Sequence, residues 1–562
     1  MDPTVHPIVS GNKGIRKLQE EVTRIRLLLP GPVPRNCPIV LGAIHPTIDV
    51  QVPGFSGWGR PLLGTVNYFG GFEDLPLILS QLGYIVIVVR IGPISTNKER
   101  ACEIFAQLTN AGRENLEANT NRGFIPARAN GTPIPAEVDR ALIPVDFGLM
   151  HPAPNPNLVM AAETLQAVIY DTPGNRLPAD WKWGVNNRVN FICHSQGGTT
   201  IRYLIELLSG ARSDLDLPQF LDTNRQSWVK SVVTLGTPHR GTTVTDVVNL
   251  SGQNAIDAMP HLSSQQDVLP HNRLDPLIDF ITSCSFDRRQ DRIYDLHLDH
   301  WGFFRDGDET YQAMRARIAP TVTAWWTGRH NGLYDNSLRG ISDLDIFAPE
   351  PSPNTYYFTM SFCATRPFPN DTLTAQDINE FLALLPVNQF WNLGGVWGHV
   401  AASLTQVGTQ LGVLPSLNAA LTWLTDVANR HLRAMQYFSQ IPRPGSQIPR
   451  QDMLPLIMYP AYAMGGLGVT LSGIPLQEFQ RNDGIVNTRS MDGPSTTVVN
   501  YGSFADSLAA YAPVDLQGIY WNLGTNVTID HADQIGVFTD HSTYLEVQAM
   551  YMLFAELGDR LP

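Results

Sequence analysis

The sequence predicts an α/β protein with a mostly parallel central sheet flanked by helices. Three observations carry this. Tyr84-Ile85-Val86-Ile87-Val88-Val89 is a β-branched run, apolar on both faces, as a central parallel strand requires. Val189 to Cys193 is a second such strand and leads at once into a helix from about Gln196 to Leu208. Val232 to Leu235 is a third strand. Strands alternating with helical stretches specify parallel pairing through helical crossovers.

Taken in order, residues 1–36 form an N-terminal arm: a charged helix from about Lys17 to Leu29, then the break Pro30-Gly31-Pro32-Val33-Pro34. Its charge and proline content mark it as peripheral. Residues 37–562 form the main domain. Cys37 to Val52 holds two apolar runs, the second an alternating strand pattern from Ile48, which feeds the Gly-rich loop Pro53-Gly54-Phe55-Ser56-Gly57-Trp58-Gly59. Leu75 to Leu82 suits a helix.

Two insertions interrupt this domain. Residues of about 110–150 are Asn-, Arg- and Pro-rich and irregular. Residues of about 370–450 hold a helical hairpin. Phe381 to Thr425 carries no Asp, Glu, Lys or Arg, and Val396, Val400, Leu404, Val407, Leu411 and Leu414 lie on one helical face. Pro415 ends that helix, and a second runs from Leu417 to Phe438. A weakly polar hairpin serves as a lid, a homo-oligomer interface through 381–440, a lipid-contacting surface, or ordinary core packing. Met453 to Leu476 is also uncharged, but Pro455, Pro460, Pro475 and four glycines make it a buried irregular segment rather than a membrane helix.

Composition excludes several classes of function. The chain has 562 residues and a formal charge of −13, with 43% hydrophobic and 16% charged residues. A packed globular protein follows, and disorder does not. An acidic chain without a basic run is unsuited to nucleic acid or to an anionic membrane held by charge. Five cysteines without CxxC spacing indicate neither a disulfide framework nor a zinc finger. The start Met1-Asp2-Pro3-Thr4-Val5-His6 lacks a basic segment followed by an apolar one, so it reads as a cytosolic start or as a trimmed, mature secreted chain.

The chemistry is concentrated in Val189-Asn190-Phe191-Ile192-Cys193-His194-Ser195-Gln196-Gly197-Gly198. A strand enters a tight turn with Ser195 at its tip, and glycines follow. Small residues two before and two after such a serine let strand and helix approach, so that Oγ projects outward as a nucleophile. Cys193 stands where glycine or alanine is usual. The serine needs a histidine base oriented by an acid, in the chain order Ser, Asp/Glu, His. Asp483, within Asn482-Asp483-Gly484-Ile485-Val486, and His531, after the strand-like run ending Thr528-Ile529-Asp530, satisfy that order.

With these residues in view, the chain resembles the zinc-containing lipases of the bacillary and staphylococcal group, serine lipases of α/β-hydrolase fold. The shared blocks include Gly54-Phe55-Ser56-Gly57-Trp58-Gly59, Gly92-Pro93-Ile94-Ser95-Thr96-Asn97 with Arg100-Ala101-Cys102-Glu103, His194-Ser195-Gln196-Gly197-Gly198, Thr237-Pro238-His239-Arg240-Gly241, Leu298-Asp299-His300-Trp301-Gly302, Asn482-Asp483-Gly484 and Asp530-His531. The resemblance implies Ser195 as nucleophile, Asp483 as orienting acid, His531 as base, and an oxyanion hole from the backbone N–H groups of Phe55 and Gln196. The family's loop opens His-Gly, where this chain has Pro53-Gly54.

No metal is required for this chemistry. Asp74, His151 and Asp299 match three of the family's four zinc ligands, and the fourth position holds Asn157, a poor zinc ligand. His297 and His300 are candidate substitutes, so structural zinc stays open. At the family's calcium site Asp533 keeps an acid, but Phe538 and Thr539 replace the other pair, which argues against calcium.

The resulting expectation is a serine carboxylic-ester hydrolase acting on apolar acyl esters, with a small-molecule or lipid substrate. Two alternatives stand beside it. One is acyl transfer to an alcohol, including lactone formation in a biosynthetic pathway. The other is a non-catalytic scaffold of the same fold.

Overall fold

The computed structural model describes residues 14–43, 68–109, 168–250, 275–286, 296–368 and 445–562, apart from scattered short gaps. The strand expected at Ile48–Val52, the loop at 53–59, the 110–150 insertion and the 396–438 hairpin lie outside the described residues.

Ten strands are described: β1 (Ile39–Ala43), β2 (Val86–Arg90), β3 (Val168–Tyr170), β4 (Val189–His194), β5 (Val229–Leu235), β6 (Tyr356–Phe362), β7 (Thr365–Pro367), β8 (Gln447–Pro449), β9 (Val499–Asn500) and β10 (Tyr520–Asn526). Eight of them make one sheet in the order β3-β2-β1-β4-β5-β6-β10-β9. Every neighbour pair in it is parallel except β2 with β3. Strands β7 and β8 form a separate antiparallel pair. β4 is buried along its whole length between β1 and β5, its polar Asn190 and His194 included.

Among the helices that bear on the site or the core are α1 (Arg16–Leu28), α2 (Leu75–Gln81), α3 (Asn97–Thr109) and α4 (Gln196–Leu208). α4 begins and ends where the apolar spacing predicts. β5 starts three residues before the expected Val232, because Lys230 and Ser231 interrupt its apolar run. Ser231 is buried all the same, and its hydroxyl donates to the Asn190 side-chain oxygen of β4 at 2.7 Å.

Two expectations are corrected. The helix of the N-terminal arm is not peripheral: Ile15, Leu18, Val22 and Ile25 are buried in the main core. Arg26 holds the buried carboxylate of Glu556 with both Nε (2.6 Å) and Nη2 (2.5 Å), which ties α1 to the C-terminal helix His541–Arg560. The segment expected to be irregular contains the helix Pro455–Gly466. A proline at the first helical position costs no hydrogen bond. Pro460 interrupts the helix interior, but Met458, Ala461 and Met464 are buried around it, and packing overrides propensity there.

Candidate active site

Ser195 sits between β4 and α4 with φ 54° and ψ −130°. Arg35 is the other non-glycine residue at positive φ among those described. Such a conformation is costly for a side-chain-bearing residue and persists where the surroundings fix it. Here they do. The Ser195 N–H extends the β4–β5 ladder to the Leu235 carbonyl at 2.8 Å, and the Ser195 carbonyl accepts from Gly198 at 3.1 Å. Gly198 has no room for a side chain, since a Cβ there would lie 2.4 Å from Thr237 Oγ1 and 2.8 Å from Thr234 Cγ2. Cys193, two residues before the serine, is buried in the core, and burial pushes its thiol far above the ordinary range. It therefore acts as a small apolar residue.

Gln196 opens α4 and is fully buried. Arg100 of α3, itself without solvent exposure, donates from Nη1 to Gln196 Oε1 at 2.5 Å. Gln196 Nε2 in turn donates to the Ser95 carbonyl at 3.3 Å. The helix start behind the serine is thus anchored to the loop before α3. Phe55, the second expected oxyanion donor, lies outside the described residues.

Asp483 sits in a tight loop closed by a bridge between Asn482 and Asn487, with Gly484 at φ 108°. The helix Leu476–Phe479 precedes this loop. Asp483 Oδ1 accepts from the N–H groups of Ile485 (3.0 Å) and Val486 (2.8 Å). Its Oδ2 accepts from His531 Nδ1 at 2.7 Å. An ionised carboxylate only accepts, so Nδ1 carries the proton and Nε2 holds the lone pair.

His531 follows β10 in a turn that Asn526 organises by accepting from Thr528 and Ile529. The imidazole is nearly buried. Its ring lies 4.5 Å, centroid to centroid, from that of His194, the residue before Ser195. His194 brings the two halves of the site together. Its Nδ1 is 2.9 Å from the Tyr68 hydroxyl. Burial, and secondarily the neighbouring His531, hold His194 well below the usual histidine range, so it stays neutral.

Two residues here escaped the sequence reading. Tyr68 enters from the segment before α2, and Gln534 Nε2 donates to Asp483 Oδ2 at 2.7 Å. The one available signal for Gln534 was its place three residues after His531, within the short 3-10 helix Asp533–Ile535. Beside it, Asp530 Oδ1 accepts from the N–H groups of Ala532 and Asp533, and Asp533 Oδ2 accepts from the Asp530 N–H. Burial, then Asp530, raise the Asp533 carboxyl to about 8.

Among the described residues, no group of three or more His, Cys, Asp or Glu side chains is gathered as a metal site. Asp74 caps α2, its Oδ1 accepting from the Leu77 N–H at 3.0 Å. His151, Asn157, His297, Asp299, His300 and Phe538 lie outside the described residues. Likewise, no described helix is long and apolar enough to cross a membrane.

A sequence profile described as the lipase-like, C-terminal domain matches residues 170–391. The chain is 29% identical to lipase 1 of Staphylococcus aureus over 344 residues, 59% of this chain and 40% of that one. The lipase of Staphylococcus hyicus is 25% identical over 330 residues, 56% of this chain and 40% of that one. Over those stretches the chain is similar to the staphylococcal lipases. It spans 40% of the length of those curated relatives. The crystal structure of Staphylococcus hyicus lipase matches the fold with a TM-score of 0.53 at 19% identity, over 95% of this chain and 97% of that one. EstA from Clostridium botulinum gives 0.51 at 19%, over 98% of each. The fold is of the α/β-hydrolase type. The profile match contains Ser195 and Gln196 but ends before Asp483 and His531, so the reading of those two rests on their geometry.

Proposed function

We propose that the chain is a serine carboxylic-ester hydrolase of lipase type. The observation that carries this is the Asp483–His531 pair, at 2.7 Å, with the His531 ring packed 4.5 Å from that of His194, the residue before a serine held in a strained elbow. With its Nδ1–H donating a hydrogen bond to Asp483, His531 offers Nε2 to the Ser195 hydroxyl. Ser195 Oγ attacks the ester carbonyl carbon as its proton passes to Nε2. The oxyanion takes hydrogen bonds from the Gln196 and Phe55 N–H groups. His531 then returns the proton to the departing alcohol, and water repeats the sequence to free the acid. A preorganised oxyanion donor of this kind contributes about 2.7–4 kcal/mol to barrier lowering.

The surroundings favour an apolar acyl group. Met453, Ile457, Met458 and Ala461 form an apolar cluster with Phe368 and Ile448, and Ile485 and Ala532 pack against it. Ile485 lies in the Asp483 loop and Ala532 follows His531, so the packing behind this pair is apolar, which suits a lipid ester better than a charged one.

A panel of p-nitrophenyl esters from short to long acyl chain tests the reading. The wild type hydrolyses them, and Ser195→Ala loses on the order of 10⁴-fold or more in kcat. Retained hydrolysis by Ser195→Ala would overturn the assignment.

A further inference from the structure

Gln534 has no solvent exposure, and its carboxamide lies at the junction of the three segments that meet in the site. Its Nε2 reaches the same Asp483 oxygen that binds His531, each at 2.7 Å. The orientation of the amide is fixed by chemistry, because only the NH₂ end can face a carboxylate. Its Oε1 is buried with no hydrogen-bond partner among the described residues. That oxygen lies against Gly236, where a Cβ would fall 2.2 Å away. Gly236 directly follows Leu235, whose carbonyl holds the Ser195 N–H. On the other side lies the buried His194 imidazole, on which the His531 backbone and the Gln534 side chain both act by hydrogen bonding.

A buried amide with one end unsatisfied costs free energy, so ordinary packing would favour an apolar residue at 534. The half that is satisfied acts on Asp483. With the Ile485 and Val486 N–H groups on Oδ1, and His531 and Gln534 on Oδ2, the carboxylate has four donors and one orientation. We propose that Gln534 is a positioning residue for ester hydrolysis: its carboxamide fixes the Asp483 oxygen that orients His531, and its packing on Gly236 couples that oxygen to the Ser195 elbow. This rests on the reading of Ser195, Asp483 and His531 as the reacting set. Gln534 touches no substrate; it acts through Asp483.

Two variants test it, each checked for the wild-type melting profile. Gln534→Met keeps the volume and removes the donor. Gln534→Asn keeps a buried amide but withdraws it by one methylene, and it supplies the reading if the methionine variant fails to fold. Each is expected to lose roughly 10-fold in kcat for a p-nitrophenyl ester while KM stays within about two-fold, since the lost bond serves the transition state and not substrate binding. A folded variant that keeps kcat within about two-fold, or loses only through KM, would overturn the proposal. A fluorophosphonate probe separates this from the parent reading. If the wild type is labelled at Ser195 while kcat is insensitive to residue 534, only the role of Gln534 fails. If the wild type is not labelled, the reading of Ser195 fails and this proposal falls with it.

Discussion

Asp483 and His531 are joined twice across 48 residues of chain: side chain to side chain at 2.7 Å, and from the His531 N–H to the Asp483 carbonyl at 3.0 Å. The main-chain bond places the two loops, and the side-chain bond sets the imidazole tautomer. The two bonds therefore have separable effects on position and on proton location.

Asp483→Asn exploits that separation. The amide presents an NH₂ group to His531 Nδ1, the imidazole reverses its tautomer, and Nε2 no longer accepts the serine proton. A loss of about 10⁴-fold in kcat is expected, as for this substitution in other serine hydrolases. Because the main-chain tie is kept, the melting temperature should change far less than activity does. Steady-state kinetics on the purified variant, with a parallel thermal melt, measure both.

Helix α1 gives a prediction about stability. Leu18 is fully buried in the main core, so Leu18→Ala should cost about 2–5 kcal/mol, as for any core leucine. A peripheral arm would lose almost nothing. Denaturant unfolding of the variant distinguishes the two.

Asp559 on the C-terminal helix predicts a pH dependence of stability. Burial raises its carboxyl from the ordinary 3.8 to about 7, against the opposing pull of Lys230 and Arg35. Its Oδ1 is met by Asn190 Nδ2 at 3.4 Å, and Oδ2 has no hydrogen-bond partner among the described residues. The folded state therefore holds a proton that the unfolded chain has released. This contribution is complete below the unfolded value and is lost as pH rises through the folded one, that is, between about 4 and 7. Asp559→Asn should melt higher relative to wild type at pH 8 than at pH 5. Scanning calorimetry at the two pH values checks the sign.

The features legible in the sequence were the local ones. The strand, turn and helix around Ser195 were legible because they lie within a few contiguous residues, and the pattern has a steric cause. Asp483 and His531 followed from chain order and from the turns around them, and the structure brings that pair together. The Pro455–Gly466 helix was misread because prolines weigh heavily in isolation, whereas burial of Met458, Ala461 and Met464 decides the outcome in three dimensions. The docking of α1 could not be read, since an amphipathic stripe does not name its partner. Tyr68 and Gln534 were invisible for the same reason: one meets His194 across 126 residues, the other meets Asp483 across 51.

Mapping the adduct of a fluorophosphonate probe by peptide mass spectrometry tests the central claim most directly. One stoichiometric adduct on Ser195 is predicted, absent in Ser195→Ala and formed far more slowly in His531→Ala. An adduct on another residue, or equal labelling of wild type and Ser195→Ala, would contradict it.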